Sequence, residues 1–165
     1  MNKISLAEDT ISSDELSDLA DWIKTNKRLT KGPLCLEFEY QFALWQGSKY
    51  AVFVNSGSSA NLLIAQALLE SKFLHNKRVI VPAVSWCTTV TPFIQLGFEV
   101  SLCDCDRDDL GFDIKHFESL CVKEKPALAV LVNVLGHPNK IDEILEICKK
   151  YDVLLVEDSC EALGS

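Results

Sequence analysis

Val153-Leu154-Leu155-Val156-Glu157-Asp158 is an apolar run that ends on two carboxylates. A short, continuously apolar segment reads as a strand over 153–156 covered on both faces, as in parallel sheets packed between helices. Ligands of open α/β sheets bind beyond the carboxyl ends of the strands, so this run predicts that Asp158 is delivered to a binding crevice. Upstream the same grammar repeats. Strands are expected at 50–54, 78–81, 99–103 and 128–132, and helices at 58–70, 88–96, 115–122 and 140–151. Such alternation predicts an α/β class with a doubly wound, mostly parallel sheet.

Two helices precede the first strand. Behind Ser12-Ser13-Asp14-Glu15, the residues Leu16, Leu19, Ala20, Trp22 and Ile23 recur at helical spacing. After Gly32-Pro33, helical periodicity returns from Leu34 to Trp45 and stops at Gly47. The expected organisation is a helical arm over 1–47 and the start of a larger domain over 48–165, with no repeat or low-complexity linker.

Composition narrows the function. The 165 residues are 48% hydrophobic and 24% charged, enough to build a core. A formal charge of -8 argues against nucleic acid as a partner, because phosphate backbones are bound by clustered Lys and Arg. Met1-Asn2-Lys3-Ile4-Ser5-Leu6-Ala7-Glu8-Asp9 carries no apolar core of signal-peptide length, and no run is long enough for a membrane span, so a cytoplasmic location is expected. Cysteines 35, 87, 103, 105, 121, 148 and 160 are scattered, as expected of buried thiols in a reducing compartment. Cys103 and Cys105 form Cys-x-Cys without a second Cys/His pair, so strand packing is preferred to a metal site. His75, His116 and His137 are dispersed and read as surface or turn residues.

Three loops at strand ends carry candidate chemistry. Asn55-Ser56-Gly57-Ser58-Ser59-Ala60-Asn61 opens a helix, where free N–H groups, the dipole and hydroxyls can hold a phosphate; a well-capped helix is the alternative. Pro82-Ala83-Val84-Ser85-Trp86-Cys87-Thr88-Thr89 offers Trp86 as a platform for a planar ring or, alternatively, as a core residue. In Glu157-Asp158-Ser159-Cys160-Glu161-Ala162, Asp158 can keep a pyridine nitrogen protonated or simply cap the next turn. Phosphate cradle, ring platform and ring-nitrogen carboxylate together are the requirements of pyridoxal phosphate. A nicotinamide or flavin half-domain fits less well, because the first loop has one Gly where a pyrophosphate needs paired glycines.

Together with Gly32-Pro33, Glu37-Phe38-Glu39, Gly136-His137-Pro138 and Glu161-Ala162-Leu163-Gly164, these loops resemble the DegT/DnrJ/StrS family. Its members are nucleotide-sugar aminotransferases and dehydratases of the aspartate aminotransferase fold. The resemblance runs from about residue 4 to 165 and implies part of that fold's large domain. It implies cofactor binding at Gly57, phosphate contacts at Ser58 and Ser59, Trp86 over the ring of pyridoxal or pyridoxamine 5'-phosphate, Asp158 at the pyridine nitrogen, and Glu161 beside the ring. Residues 56–63, 81–89 and 158–161 look most like the branch that removes the 3-hydroxyl of nucleotide-linked 4-keto-6-deoxy sugars for surface polysaccharide such as lipopolysaccharide. A sugar 4-aminotransferase using glutamate is the alternative within the family. A non-catalytic binding module is the alternative outside it.

The family places a catalytic Lys, or a His in some dehydratases, well beyond the Asp. The resemblance therefore implies that this residue and the small domain follow Ser165 in a longer, homodimeric protein. An isolated half-domain is expected to be poorly soluble, since it would expose an unpaired sheet edge.

Overall fold

In the computed structural model, which describes residues 10–25 and 29–164, a parallel sheet orders the C-terminal part of the chain. Its strands are Arg78–Pro82 (β1), Glu99–Cys103 (β2), Leu128–Val132 (β3) and Leu154–Asp158 (β4), in the order β2-β1-β3-β4. Registers such as Ile80 with Ser101, Val79 with Leu128 and Val130 with Val156 align the carboxyl ends on one side. The helices are Ser13–Thr25 (α1), Pro33–Gln46 (α2), Gly57–Ser71 (α3), Cys87–Gln95 (α4), Ile114–Glu124 (α5) and Ile141–Tyr151 (α6). The doubly wound, parallel α/β expectation is met.

Strand alternation divides the interior into two cores. Ile80, Ala129, Leu131 and Leu155 face one side with Phe117 and Cys121 of α5 and Ile144, Ile147 and Cys148 of α6. Val79, Val81, Leu128, Val130 and Val156 face the other with Ala65 of α3 and Phe93 of α4. All of β3 is buried, which explains its unbroken apolar sequence. The chain leaves β1 through α4 toward β2 on one face, and leaves β3 through α6 toward β4 on the other. The winding direction thus changes between β1 and β3, the arrangement that opens a crevice at strand carboxyl ends.

The chain divides into two compact units, Met1–Phe53 and Val54–Ser165. In the first, α1 starts with a reciprocal capping box: Ser12 N donates to Glu15 Oε2 at 2.7 Å, and Glu15 N donates to Ser12 Oγ at 3.2 Å. Gly47 ends α2 at φ 71, and its neighbour Ser48 N bonds Ala43 O. Within this unit, a cavity of about 460 Å³ is lined by Trp22, Pro33, Leu34, Cys35, Phe38 and Phe53 among others. No residue of α1 is buried, and Ala43 alone is buried in α2.

One predicted strand does not form. Residues 50–54 make no strand pairing, and the Phe53 N–H donates to the Glu39 carboxylate at 2.8 Å, an oxygen that also takes Lys31 Nζ. An apolar run becomes a strand only where a partner strand completes its ladder. The stretch 1–9, read above for a leader, lies outside the described residues, as does Ser165. The thiols are only partly buried: Cys103, Cys121 and Cys148 are, whereas Cys35 and Cys105 are intermediate and Cys87 and Cys160 exposed. Cys103 ends β2, while Cys105 lies beyond it in an isolated bridge to Phe112. His116 lies in the first turn of α5, where its Nδ1 accepts the Asp104 N–H at 3.0 Å.

Candidate functional site

Alternation in β4 decides where each carboxylate goes. Leu155 packs toward α5 and α6 and Val156 toward α3 and α4, so Glu157 and Asp158 leave the strand on opposite faces. Asp158 shares the side of Val156 and meets both helices there. Its Oδ2 accepts from Asn61 Nδ2 at 2.9 Å and from Thr89 Oγ1 at 3.0 Å, and its Oδ1 accepts from Cys160 N at 3.3 Å. Glu157 Oε2 takes only a long bond from Asn133 Nδ2 at 3.4 Å.

The three candidate loops form one hydrogen-bonded network. Asn61 Nδ2 donates to the Thr88 carbonyl at 3.2 Å as well as to Asp158, and Ser58 Oγ donates to Thr88 Oγ1 at 3.0 Å. Both partners of the Asn61 amide are acceptors, which fixes its nitrogen toward them. Burial pushes the Asp158 carboxyl up, but the hydrogen bonds from Asn61, Cys160 and Thr89 outweigh it and hold the group below its ordinary value. Among the described residues no Lys, Arg or His forms an ion pair with it. The Cys160 thiol is pushed up to about 11, first by withdrawal of its sulfur from water and then by its hydrogen bond to Asp158.

The remaining candidates take distinct positions. Gly57, Ser58 and Ser59 form the first turn of α3, capped by Ser56, whose Oγ accepts from Ser59 N at 3.2 Å. A Cβ at Gly57 would meet nothing, so neither packing nor a special φ demands glycine there. Trp86 precedes α4 with 72% of its surface exposed, which rules out the core alternative. Glu161 is exposed, and its Oε2 accepts the Leu135 N–H at 2.7 Å, bracing the loop after β3 where Leu135 takes a left-handed φ of 55.

A second buried asparagine closes that loop. Asn139 Nδ2 donates to Val132 O and to Asn133 Oδ1, both at 2.9 Å, and its Oδ1 accepts Phe112 N at 3.1 Å. Gly111 lies against it, so close that a Cβ would stand 2.3 Å from Asn139 Oδ1. Sequence reasoning quoted Asn61 and Thr89 inside their loops without giving them a role, and passed over Asn133 and Asn139. For Asn61 the available signal was its place inside a helical run, where Asn disfavours the helix unless its amide has a partner elsewhere.

The model of the DegT/DnrJ/EryC1/StrS aminotransferase family matches residues 9–165. The chain belongs to this family. All of it aligns at 39% identity with the GDP-4-keto-6-deoxy-D-mannose 3-dehydratase of Yersinia pseudotuberculosis, covering 42% of that protein. It also superposes on an E. coli GDP-4-keto-6-deoxy-D-mannose-3-dehydratase with bound hydrated PLP. That match has TM-score 0.90 and 39% identity, over 100% of this chain and 43% of the other. A mutant GDP-4-keto-6-deoxymannose-3-dehydratase with bound GDP-perosamine gives TM-score 0.88 at 39% identity, over 97% of this chain and 42% of its own. The chain thus spans under half the length of these relatives. Its candidate loops lie on the carboxyl side of a parallel sheet. No helix among the described residues is long and apolar enough to cross a membrane.

Proposed function

We propose that this chain is the N-terminal part of a pyridoxal-phosphate enzyme that removes the 3-hydroxyl from a nucleotide-linked 4-keto-6-deoxy sugar. In this reading residues 1–47 form a helical arm and 48–165 the first part of the cofactor-binding domain. The enzyme is cytoplasmic and homodimeric, and supplies deoxy sugar for surface polysaccharide.

One observation carries the reading: Asp158 is held by neutral donors only, and its charge is matched by no cation among the described residues. A carboxylate so placed at a strand end is a partner for a protonated ring nitrogen. The donor set around it fits pyridoxal phosphate. The first turn of α3 presents N–H groups to an anion, the Ser58 hydroxyl can turn to it from Thr88, and open space beyond Gly57 lets a phosphate approach the backbone closely. Trp86 presents a free aromatic face at the neighbouring strand end. When bound, pyridoxal phosphate supplies an electron-withdrawing ring, the sink needed to expel a hydroxyl beside a keto carbon. Asp158 would hold the ring nitrogen's proton, Ser58 and the N–H groups of α3 would hold the phosphate, and Trp86 would set the ring plane.

Sugar choice rests on likeness to the GDP-4-keto-6-deoxy-D-mannose dehydratases. The test uses protein expressed from the full reading frame, incubated with GDP-4-keto-6-deoxymannose, pyridoxal phosphate and glutamate. Loss of the C3 oxygen without gain of nitrogen, abolished in Asp158→Asn, is the expected product pattern. An amino group at C4 with the C3 hydroxyl intact would instead make the enzyme a 4-aminotransferase. No cofactor uptake would leave a binding module.

A further inference from the structure

Two side chains invest in Asp158 without any local reason to be where they are. Asn61 lies inside α3, whose N-terminus is already capped by Ser56, and asparagine is a poor residue for a helix interior. Thr89 lies in α4 with 1% of its surface exposed, and Asn61 retains 8%. Buried polar groups without partners cost stability, and here each finds its partner in the same oxygen. Asp158 Oδ2 accepts from Asn61 at 2.9 Å and from Thr89 at 3.0 Å, which fills both of its lone pairs. Oδ1 takes a longer backbone bond from Cys160 at 3.3 Å, and the Cys160 thiol also bonds this carboxylate. Anchors on two different helices fix the carboxylate plane as well as its position.

We propose that Asn61 and Thr89 are positioning residues for the cofactor ring: by saturating Oδ2 they direct Oδ1 to the ring N–H and keep the carboxylate anionic before the ring arrives. This rests on the pyridoxal-phosphate reading above. The surroundings agree with it. From α3 and α4 the groups bonding Asp158 are the neutral Asn61 and Thr89, and from the turn after β4 the Cys160 thiol, itself neutral at physiological pH. Glu157 and Glu161, the carboxylates nearest in sequence, are engaged with Asn133 and Leu135. Asp158 itself is held below its ordinary carboxyl value despite burial, with Asn61 the foremost of the groups that lower it.

The test pairs two measurements on protein from the full reading frame. In cofactor-free protein, the Asp158 carboxyl is followed by ¹³C NMR through an acid titration, with Asp158→Asn identifying its signal. Affinity for pyridoxal phosphate is then read from its absorbance. Asn61→Leu and Thr89→Val each remove one donor, and Thr89→Ser keeps the hydroxyl. In Asn61→Leu and Thr89→Val the Asp158 titration is expected to move to higher pH and pyridoxal phosphate to bind roughly tenfold or more weakly. Thr89→Ser should stay near wild type in both. An unmoved Asp158 titration in folded Thr89→Val and Asn61→Leu overturns the inference while leaving the function standing. Should Asn61→Leu not fold, the Thr89 pair decides alone. A wild-type protein whose Asp158 responds as expected but which takes up no pyridoxal phosphate overturns the function reading, and with it the role assigned toward the ring.

Discussion

Two buried asparagines, Asn61 and Asn139, hold loops on the carboxyl side of the same sheet, yet they do different work. Asn139 spends its amide on neutral partners: the Val132 carbonyl, the Asn133 side chain and the Phe112 N–H. Asn61 donates to one carbonyl and one carboxylate. The first is a latch that shapes a loop, and its loss should be felt equally at every pH. The second supports a charge, and its loss should depend on the protonation of that charge. Burial alone does not tell them apart, since both expose under a tenth of their surface. Their acceptors do.

The largest effect is expected on the latch. Gly111→Ala would drive a Cβ against Asn139 Oδ1, an atom that cannot retreat without releasing Phe112 N. A cost of about 3 kcal/mol in denaturant unfolding is expected, as for an overpacked core, with the Asp158 titration unchanged. Asn139→Ala should cost about 2 kcal/mol by leaving the Val132 carbonyl and Phe112 N–H without their partner, again with no pH signature. A pH-dependent loss in either variant would break the distinction between the two asparagines.

Asn61→Leu should cost less, about 1 kcal/mol at neutral pH, because water can reach the half-buried carboxylate. Its mark lies in acid. The folded-state pKa of Asp158 is lowered, so its contribution to stability is present above the unfolded carboxyl value of about 3.9 and is lost as pH falls through the folded value. Asn61→Leu moves the folded value up and so shrinks this acid-sensitive part; comparing wild-type and variant urea midpoints across that window checks it.

The smallest effect concerns thiol reactivity. Iodoacetamide near neutral pH should modify exposed Cys87 ahead of Cys160, which is raised to about 11 beside Asp158. Cys103 and Cys121, raised to about 12 by burial, and Cys148 should react only on unfolding. Asp158→Asn should speed Cys160 modestly, since burial of the sulfur, the leading cause of its shift, remains. Mass mapping of the labelled peptides reads each of these rates.

The strands and helices of the sheet domain were legible because their patterns are local. The five apolar residues of β3 and the caps at Ser56 and Gly47 announce themselves within a few positions. The segment 50–54 misled for the complementary reason: its apolar pattern is local, but strand formation needs a distant partner. Among site residues, Asp158 and Trp86 were visible as unusual side chains at strand ends, and Ser58 as a hydroxyl at the start of a helix. Asn61 and Thr89 were not, because their meaning lies in an acceptor 97 and 69 positions away. Glu161 was assigned a place beside the cofactor by resemblance. Its bond to Leu135 N was invisible, because it depends on how the loop after β3 turns.

The alternation of β4 also bears on which kinds of genetic change this site can survive. A substitution at Leu155 or Val156 alters packing but leaves Asp158 facing α3 and α4. Inserting or deleting one residue between Leu154 and Glu157 would invert the parity of the strand end, presenting Asp158 to the α5/α6 side and Glu157 to Asn61 and Thr89. Length within this strand is thus under a stricter constraint than composition. A drifting sequence can explore new side chains here, but hardly a new reading length.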